Sequence, residues 1–172
     1  AQSSSFVSTI NAHMDEYKQA AQKTNVPWEV LVGIHYRESN LDYNTSMCEG
    51  EKLGTTCSPQ GEVVARTFVE SAIWAGRHLQ SKVGSTLKSN EWNEYKIKRA
   101  LFGYNGASKA YKNQAVENGF PREPGYDGSP YVMNNFDSAH THYRVVKHDY
   151  QAPECCDGRD GAFTVASLLH NA

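Results

Sequence analysis

Apolar residues recur at steps of three and four along most of this chain, and no apolar–polar alternation runs longer than four residues. That periodicity restricts the fold to packed helices, because a half-buried strand needs a period of two. Over residues 6–21, Phe6, Ile10, Met14, Tyr17 and Ala21 make one continuous stripe, the buried face of a surface helix. Asn25-Val26-Pro27 opens a second helix, since a proline in the first turn gives up an N–H that has no helical partner anyway. Its apolar face is Val30, Leu31 and Ile34, and it ends near Ser39-Asn40. The spacing returns through Val64, Phe68, Ala72, Ala75 and Leu79 in residues 63–83, and through Tyr95, Ile97, Leu101 and Tyr104 in residues 91–104. Gly84-Ser85 separates these two. Further helices are expected from Pro130 to about residue 146 and over residues 162–169.

Two stretches interrupt the pattern. Residues 41–61 hold Gly50, Gly54, Pro59, Gly61 and the cysteines Cys48 and Cys57, a long loop of the kind that is usually functional. After Gly103, the residues Gly119, Pro121, Pro124, Gly125, Gly128 and Pro130 crowd around Phe120, Tyr126 and Tyr131 in a second, extended loop. There is no internal repeat, low-complexity block or domain-separating linker. The expectation is one mostly α domain over residues 1–172, with six to seven helices and a cysteine-containing tail from about residue 153.

A balance of 17 Lys+Arg against 19 Asp+Glu, net charge -2, lacks the basic excess of a nucleic-acid binder. The longest aliphatic-rich run, residues 30–34, is far short of the ~20 residues that span a bilayer. The start, Ala1-Gln2-Ser3-Ser4-Ser5, resembles a mature chain after removal of a signal peptide, and four cysteines suit an oxidising compartment. Secreted or periplasmic residence is therefore expected, with a phage-borne origin also open. The cysteines allow three pairings: Cys48 with Cys57, leaving the adjacent Cys155 and Cys156, or either of two that tie the loop to the tail. None has the CxxC-like spacing of a zinc site, so no metal is expected on them.

Chemistry concentrates at Glu38. Leu31, Ile34, His35 and Glu38 fall at i, i+3, i+4 and i+7, which puts Glu38 at the C-terminal end of the apolar face. Desolvation there and the negative end of the helix dipole both favour the protonated carboxyl, which is a general acid. The plain alternative has the helix ending a turn early with Glu38 facing solvent. Gly103-Tyr104-Asn105-Gly106 closes a helix with ordinary C-cap residues, and Ser129-Pro130-Tyr131-Val132 opens another with an aromatic anchor.

In this order the three segments resemble the lytic transglycosylases and goose-type lysozymes, over roughly residues 18–147. The segment from Val26-Pro27 through Gly33-Ile34-His35-Tyr36-Arg37-Glu38-Ser39 is similar to that family's catalytic helix, with its Ala-or-Gly-Ile-x-x-x-Glu-Ser signature. Tyr104-Asn105-Gly106 is similar to its later Tyr-Asn segment, although Gly103 stands where the family often has Ala, and Tyr131 matches a cleft aromatic. The resemblance implies a lysozyme-like domain with a long loop after the catalytic helix. It implies cleavage of the β-1,4 bond between N-acetylmuramic acid and N-acetylglucosamine in peptidoglycan without a cofactor. Glu38 would be the catalytic acid and base, and Ser39, Tyr104, Asn105 and Tyr131 would bind the glycan strand.

Lytic transglycosylation needs one carboxyl, because the sugar's N-acetyl group assists and its 6-hydroxyl closes an anhydro ring. A hydrolytic version wants a second carboxylate, for which Asp42, Glu49 and Glu62 are the candidates by position. Two other classes compete. A metal-dependent hydrolase would use His35 with Glu38 or the group His140, His142 and His148, yet zinc helices place two histidines four apart, and His35 reads better as a buried support of the Glu38 helix. A non-catalytic wall-binding module would share the fold without needing Glu38. Asp157-Gly158-Arg159-Asp160 lacks the calcium-loop pattern and reads as turns. Tyr36, Tyr43 and Tyr126 read as packing residues more readily than as sugar platforms. The oligomeric state is left open.

Overall fold

The computed structural model describes residues 4–84, 86–104 and 161–170. Within them lie α1 (Ser4–Ala12), α2 (Met14–Thr24), α3 (Trp28–Ser39), α4 (Phe68–Ser81), a 3-10 turn (Ser89–Glu91), α5 (Glu94–Tyr104) and α6 (Ala162–His170). The fold is mostly helical, and the only β pairing among the described residues is two isolated bridges, Thr45 with Lys52 and Cys57 with Glu62. The helix expected from Pro130, together with Asn105, Tyr126, Tyr131, the histidines at 140, 142 and 148, the acidic stretch at 157–160, Cys155 and Cys156, lies outside the described residues.

α3 is the central helix. Pro27, extended at φ -55 and ψ 134, precedes its first turn, Glu29 and Arg37 complement the two ends of its dipole, and Asn40 closes it in the left-handed conformation at φ 54. Val30, Leu31, Val32, Gly33, Ile34, His35 and Arg37 are all buried, so apolar contact surrounds the helix rather than lining one stripe. α6 packs on α3 at Gly33, where a Cβ would run into the carbonyl of Ala162, so the approach of the two backbones requires glycine. α2 packs against α4. Tyr17, Leu31, Ile34, Leu79 and Leu101 are fully buried in one continuous core, each contributing about 1.5–3 kcal/mol by burial. α3 therefore cannot tip without exposing several of them.

The helix expected over residues 91–104 begins at Glu94, because Glu91 closes a 3-10 turn and Trp92 is extended, and two further helix boundaries differ from the periodicity. The stripe over residues 6–21 is broken at His13 (φ -119, ψ 14) into α1 and α2. The ring of His13 stacks on Tyr43 with centroids 3.4 Å apart, a tertiary contact that a local pattern does not encode. The helix expected over residues 63–83 begins only at Phe68, because Thr67 and Glu70 form a reciprocal capping box that fixes its start. No described helix is long and apolar enough to cross a membrane.

Candidate active site at the end of α3

The last turn of α3 is fixed by a buried polar network. His35 Nε2 lies 2.9 Å from the carbonyl oxygen of Asp42, which can only accept, so Nε2 carries the proton and donates. Nδ1 then accepts from the Tyr17 hydroxyl at 2.7 Å, and Tyr17 accepts from Tyr43 at 3.0 Å. Burial pushes the His35 imidazole down to about 4 and the Tyr17 phenol up, so both stay neutral, as this chain of bonds requires. The Tyr43 hydroxyl also lies 3.3 Å from the Thr9 carbonyl and divides its one proton between that oxygen and Tyr17, and Phe68 packs on the rings of Tyr17, His35 and Tyr43. α1, α2, α3, α4 and the following loop are thus joined three residues before Glu38. His35 is the buried support that the sequence suggests, and with both nitrogens engaged it is not a metal ligand.

Immediately after Glu38 the chain reverses. Asn40 and Leu41 are both left-handed (φ 54 and 63), a conformation that costs a leucine about 1–3 kcal/mol and is offset here by burial of its side chain. The Ser39 hydroxyl shares its one proton between the carbonyls of His35 at 3.4 Å and Asp42 at 3.5 Å, two weak contacts between the helix end and the turn.

The loop then folds back over α3. Ser46 N–H donates to the Glu51 carbonyl at 2.7 Å and Gly50 N–H to the Ser46 carbonyl at 3.0 Å, which makes a tight turn. Gly50, at φ +80, sits directly on the Glu38 carbonyl, and a Cβ there would lie 2.6 Å from that oxygen. Met47 N–H donates to Ser71 Oγ of α4 at 2.6 Å, while the Met47 carbonyl accepts from the Tyr104 hydroxyl at the end of α5. A disulfide joins Cys48 to Cys57 with Cα atoms 6.3 Å apart. The loop is therefore closed on itself, and the two pairings that would tie it to the tail are excluded.

Among the site residues expected from the sequence, Glu38, Ser39 and Tyr104 are described. Glu38 is half-buried at the end of a helix that is otherwise almost wholly enclosed. Tyr104 is buried, its ring edges onto Trp74 and His78, and its hydroxyl anchors Met47. Burial first, and then the carboxylates of Glu38 and Glu51, push its phenol well above the usual tyrosine range, so it remains a neutral donor. Tyr36 and Tyr43 pack, Tyr36 edge-on to Phe6 and Tyr43 in the network above.

The three candidate second carboxylates are exposed and locally engaged. Asp42 accepts the N–H of Asn44 at 2.9 Å, Glu49 accepts that of Ser58 at 2.7 Å, and Glu62 pairs through its backbone with Cys57. The carboxylate that does act on Tyr104 together with Glu38 is Glu51, which sequence spacing missed. Its one available signal was its place beside Gly50, between Cys48 and Cys57. Glu51 Oε1 accepts the N–H of Glu49 at 3.2 Å, whereas Oε2 is buried and has no hydrogen-bond partner among the described residues. A carboxylate oxygen of Glu51 lies within 4.8 Å of both disulfide sulfurs. Those sulfurs carry no thiolate charge while bonded to each other, so the trio does not make a metal site.

A cavity of about 650 Å³ opens at the opposite, N-terminal end of α3, lined in part by Trp28, Trp92, Ile97 and Phe163. None of the residues expected in the site lines it. The only carboxylates on its wall are Glu29, 3.3 Å from His170 Nδ1, and Glu94, paired with Lys98 at 3.2 Å. Comparison of the chain with protein-family models, curated proteins and solved structures gives no match.

Proposed function

We propose that this protein is a peptidoglycan-cleaving enzyme with a lysozyme-like fold, acting on the N-acetylmuramic acid–N-acetylglucosamine bond by lytic transglycosylation. The observation that carries the reading is the position of Glu38: a half-buried glutamate in the last turn of a buried helix, a turn held from behind by the His35 network and, at the Glu38 backbone carbonyl, by Gly50 of the disulfide loop. A backbone held in this way lets the carboxyl it carries approach a bound glycosidic oxygen with little reorganisation of the helix end.

Glu38 gives its proton to the glycosidic oxygen, and the electrons of the breaking C1–O bond pass to that oxygen, leaving positive charge on C1 and the ring oxygen. The sugar's N-acetyl group supports this charge. The 6-hydroxyl oxygen then bonds to C1 and returns its proton to Glu38, closing the anhydro ring and restoring the acid. Ser39, Asn105 and Tyr131 are assigned to glycan binding on the resemblance alone, and Tyr104 acts by holding Met47 and with it the loop. Secreted or periplasmic residence agrees with the disulfide.

Mass spectrometry of the fragments released from purified peptidoglycan tests the reading. Anhydro-ended muropeptides from the wild type and none from Glu38→Gln are expected. Reducing ends would mean lysozyme-type hydrolysis of the same bond. Binding to walls without cleavage would mean a wall-binding module, and activity that survives Glu38→Gln but disappears with a chelator would mean a metal mechanism.

A further inference from the structure

We propose that the cavity at the N-terminal end of α3 is a second binding site, and that it takes an organic cation: an ammonium group carried on an apolar chain or ring. The inference goes beyond the cleavage reading and does not depend on it, because the cavity lies at the other end of α3 from Glu38.

Its shape and its walls are those of a small-molecule site. The volume of about 650 Å³ lies in the range that such sites occupy, and α2, α3, the 3-10 turn, α5 and α6 all contribute to the wall. Two of the chain's three tryptophans, Trp28 and Trp92, line it together with Phe163. Trp92 Nε1 donates to the Asn25 carbonyl at 2.7 Å, and Asn25 is itself the left-handed cap of α2. That bond uses the only polar group of the indole and leaves its ring for apolar and π contact. Since the ring is locked before a ligand arrives, binding does not have to order it.

Charge selects the ligand. Glu29 and Glu94 are the carboxylates of the wall, and no lysine or arginine among the described residues lines it. Glu94 is answered by Lys98 at 3.2 Å, whose ammonium also lies 4.9 Å from the centre of the Phe163 ring. An ammonium shared between a carboxylate and an aromatic face is therefore chemistry that this wall already uses. Glu29 has a different partner, His170 Nδ1 at 3.3 Å, and a histidine brings charge only when it is protonated. The Glu29 side chain is 14% exposed and that of His170, the last residue of α6, is 77% exposed, so the carboxylate is enclosed while its partner is easily exchanged. The positive end of the α3 dipole offsets about half an elementary charge of it. A ligand ammonium entering beside Trp28 and Trp92 supplies a permanent positive charge to an enclosed carboxylate, which attracts it more strongly than a solvated one would. A neutral ligand of the same shape gains the apolar walls alone, and an anionic one is repelled by both carboxylates.

The test titrates the protein with hexyltrimethylammonium, hexan-1-ol and hexanoate, which share a six-carbon chain and differ in charge. Binding is read by calorimetry and by the indole N–H resonances of the three tryptophans. We expect the ammonium to bind about tenfold more tightly than the alcohol and hexanoate to bind more weakly than either. The resonances of Trp28 and Trp92 should move, and that of Trp74, which stacks on His78 of α4, should stay. Glu29→Gln should lose about tenfold for the ammonium and keep its affinity for the alcohol, which also shows that the variant is folded. The inference is overturned if the alcohol or hexanoate binds as tightly as the ammonium, if Glu29→Gln binds the ammonium as the wild type does, or if the ammonium leaves the Trp28 and Trp92 resonances in place. The order of the three probes on the wild type decides even where Glu29→Gln does not fold. No cleavage enters the readout, so the site stands or falls apart from the Glu38 mechanism.

Discussion

The aromatic network around His35 and the disulfide loop carrying Glu51 both bear on the last turn of α3, yet they treat their polar groups in opposite ways. Around His35 the buried donors and acceptors form a continuous chain, from Tyr43 to Tyr17 to His35 to the carbonyl of Asp42. In the loop, Glu51 Oε2 is buried and accepts no hydrogen bond among the described residues. A satisfied network contributes rigidity, whereas an unpaired buried polar atom costs stability. Substitutions should therefore separate the two regions, the first acting through folding and the second through chemistry.

The largest stability effect is expected at His35. His35→Ala removes a fully buried ring and leaves the Tyr17 hydroxyl without its acceptor, a loss of about 3–5 kcal/mol that denaturant unfolding would register. If it costs less than about 1 kcal/mol, the network does not hold the helix end.

The same histidine sets a pH dependence. Its imidazole is held at about 4 in the folded chain against an ordinary 6.5, so the unfolded chain binds the extra proton between those values. The stability is fully present above pH 6.5 and is lost as the pH falls through that window toward 4. At about 1.36 kcal/mol per pH unit this amounts to about 3 kcal/mol, measurable as a falling Tm in wild type and a flatter profile in His35→Phe.

In the loop, replacing Cys48 and Cys57 by serine opens a ten-residue ring and costs about 2.7 kcal/mol on chain-entropy grounds. Activity should fall further than that stability loss accounts for when assayed well below the melting point, because the loop that rests on the Glu38 carbonyl through Gly50 is released. Gly50→Ala is expected to have the smallest stability effect, about 2 kcal/mol, from a left-handed backbone and a methyl group against the Glu38 carbonyl. It too should impair catalysis out of proportion to Tm. Equal proportional losses in the two regions would erase the contrast between them.

How much of this was legible in the sequence follows the same division. Pro27, the apolar residues of α3 and Asn40 marked both ends of the central helix to within a residue, because capping and first-turn chemistry are local. The Thr67–Glu70 capping box was equally local, yet Val64 lengthened the apparent stripe and masked it. The break at His13 was not legible, since it depends on a ring stacked from thirty residues away in the loop. Glu38 stood out because a helix converts spacing into a face. Glu51 did not, because a loop has no period: its burial follows from the turn at Gly50, the disulfide and the Tyr104 bond to Met47.

The role proposed for Glu38 is chemical, with little part in the fold. The most direct measurement is the rate of peptidoglycan cleavage by Glu38→Gln, with Tm taken on the same preparation. A loss of about a thousandfold with an unchanged Tm is predicted, in the range of general acid catalysis. A rate within threefold of wild type, or a loss that comes with a collapsed Tm, would contradict it.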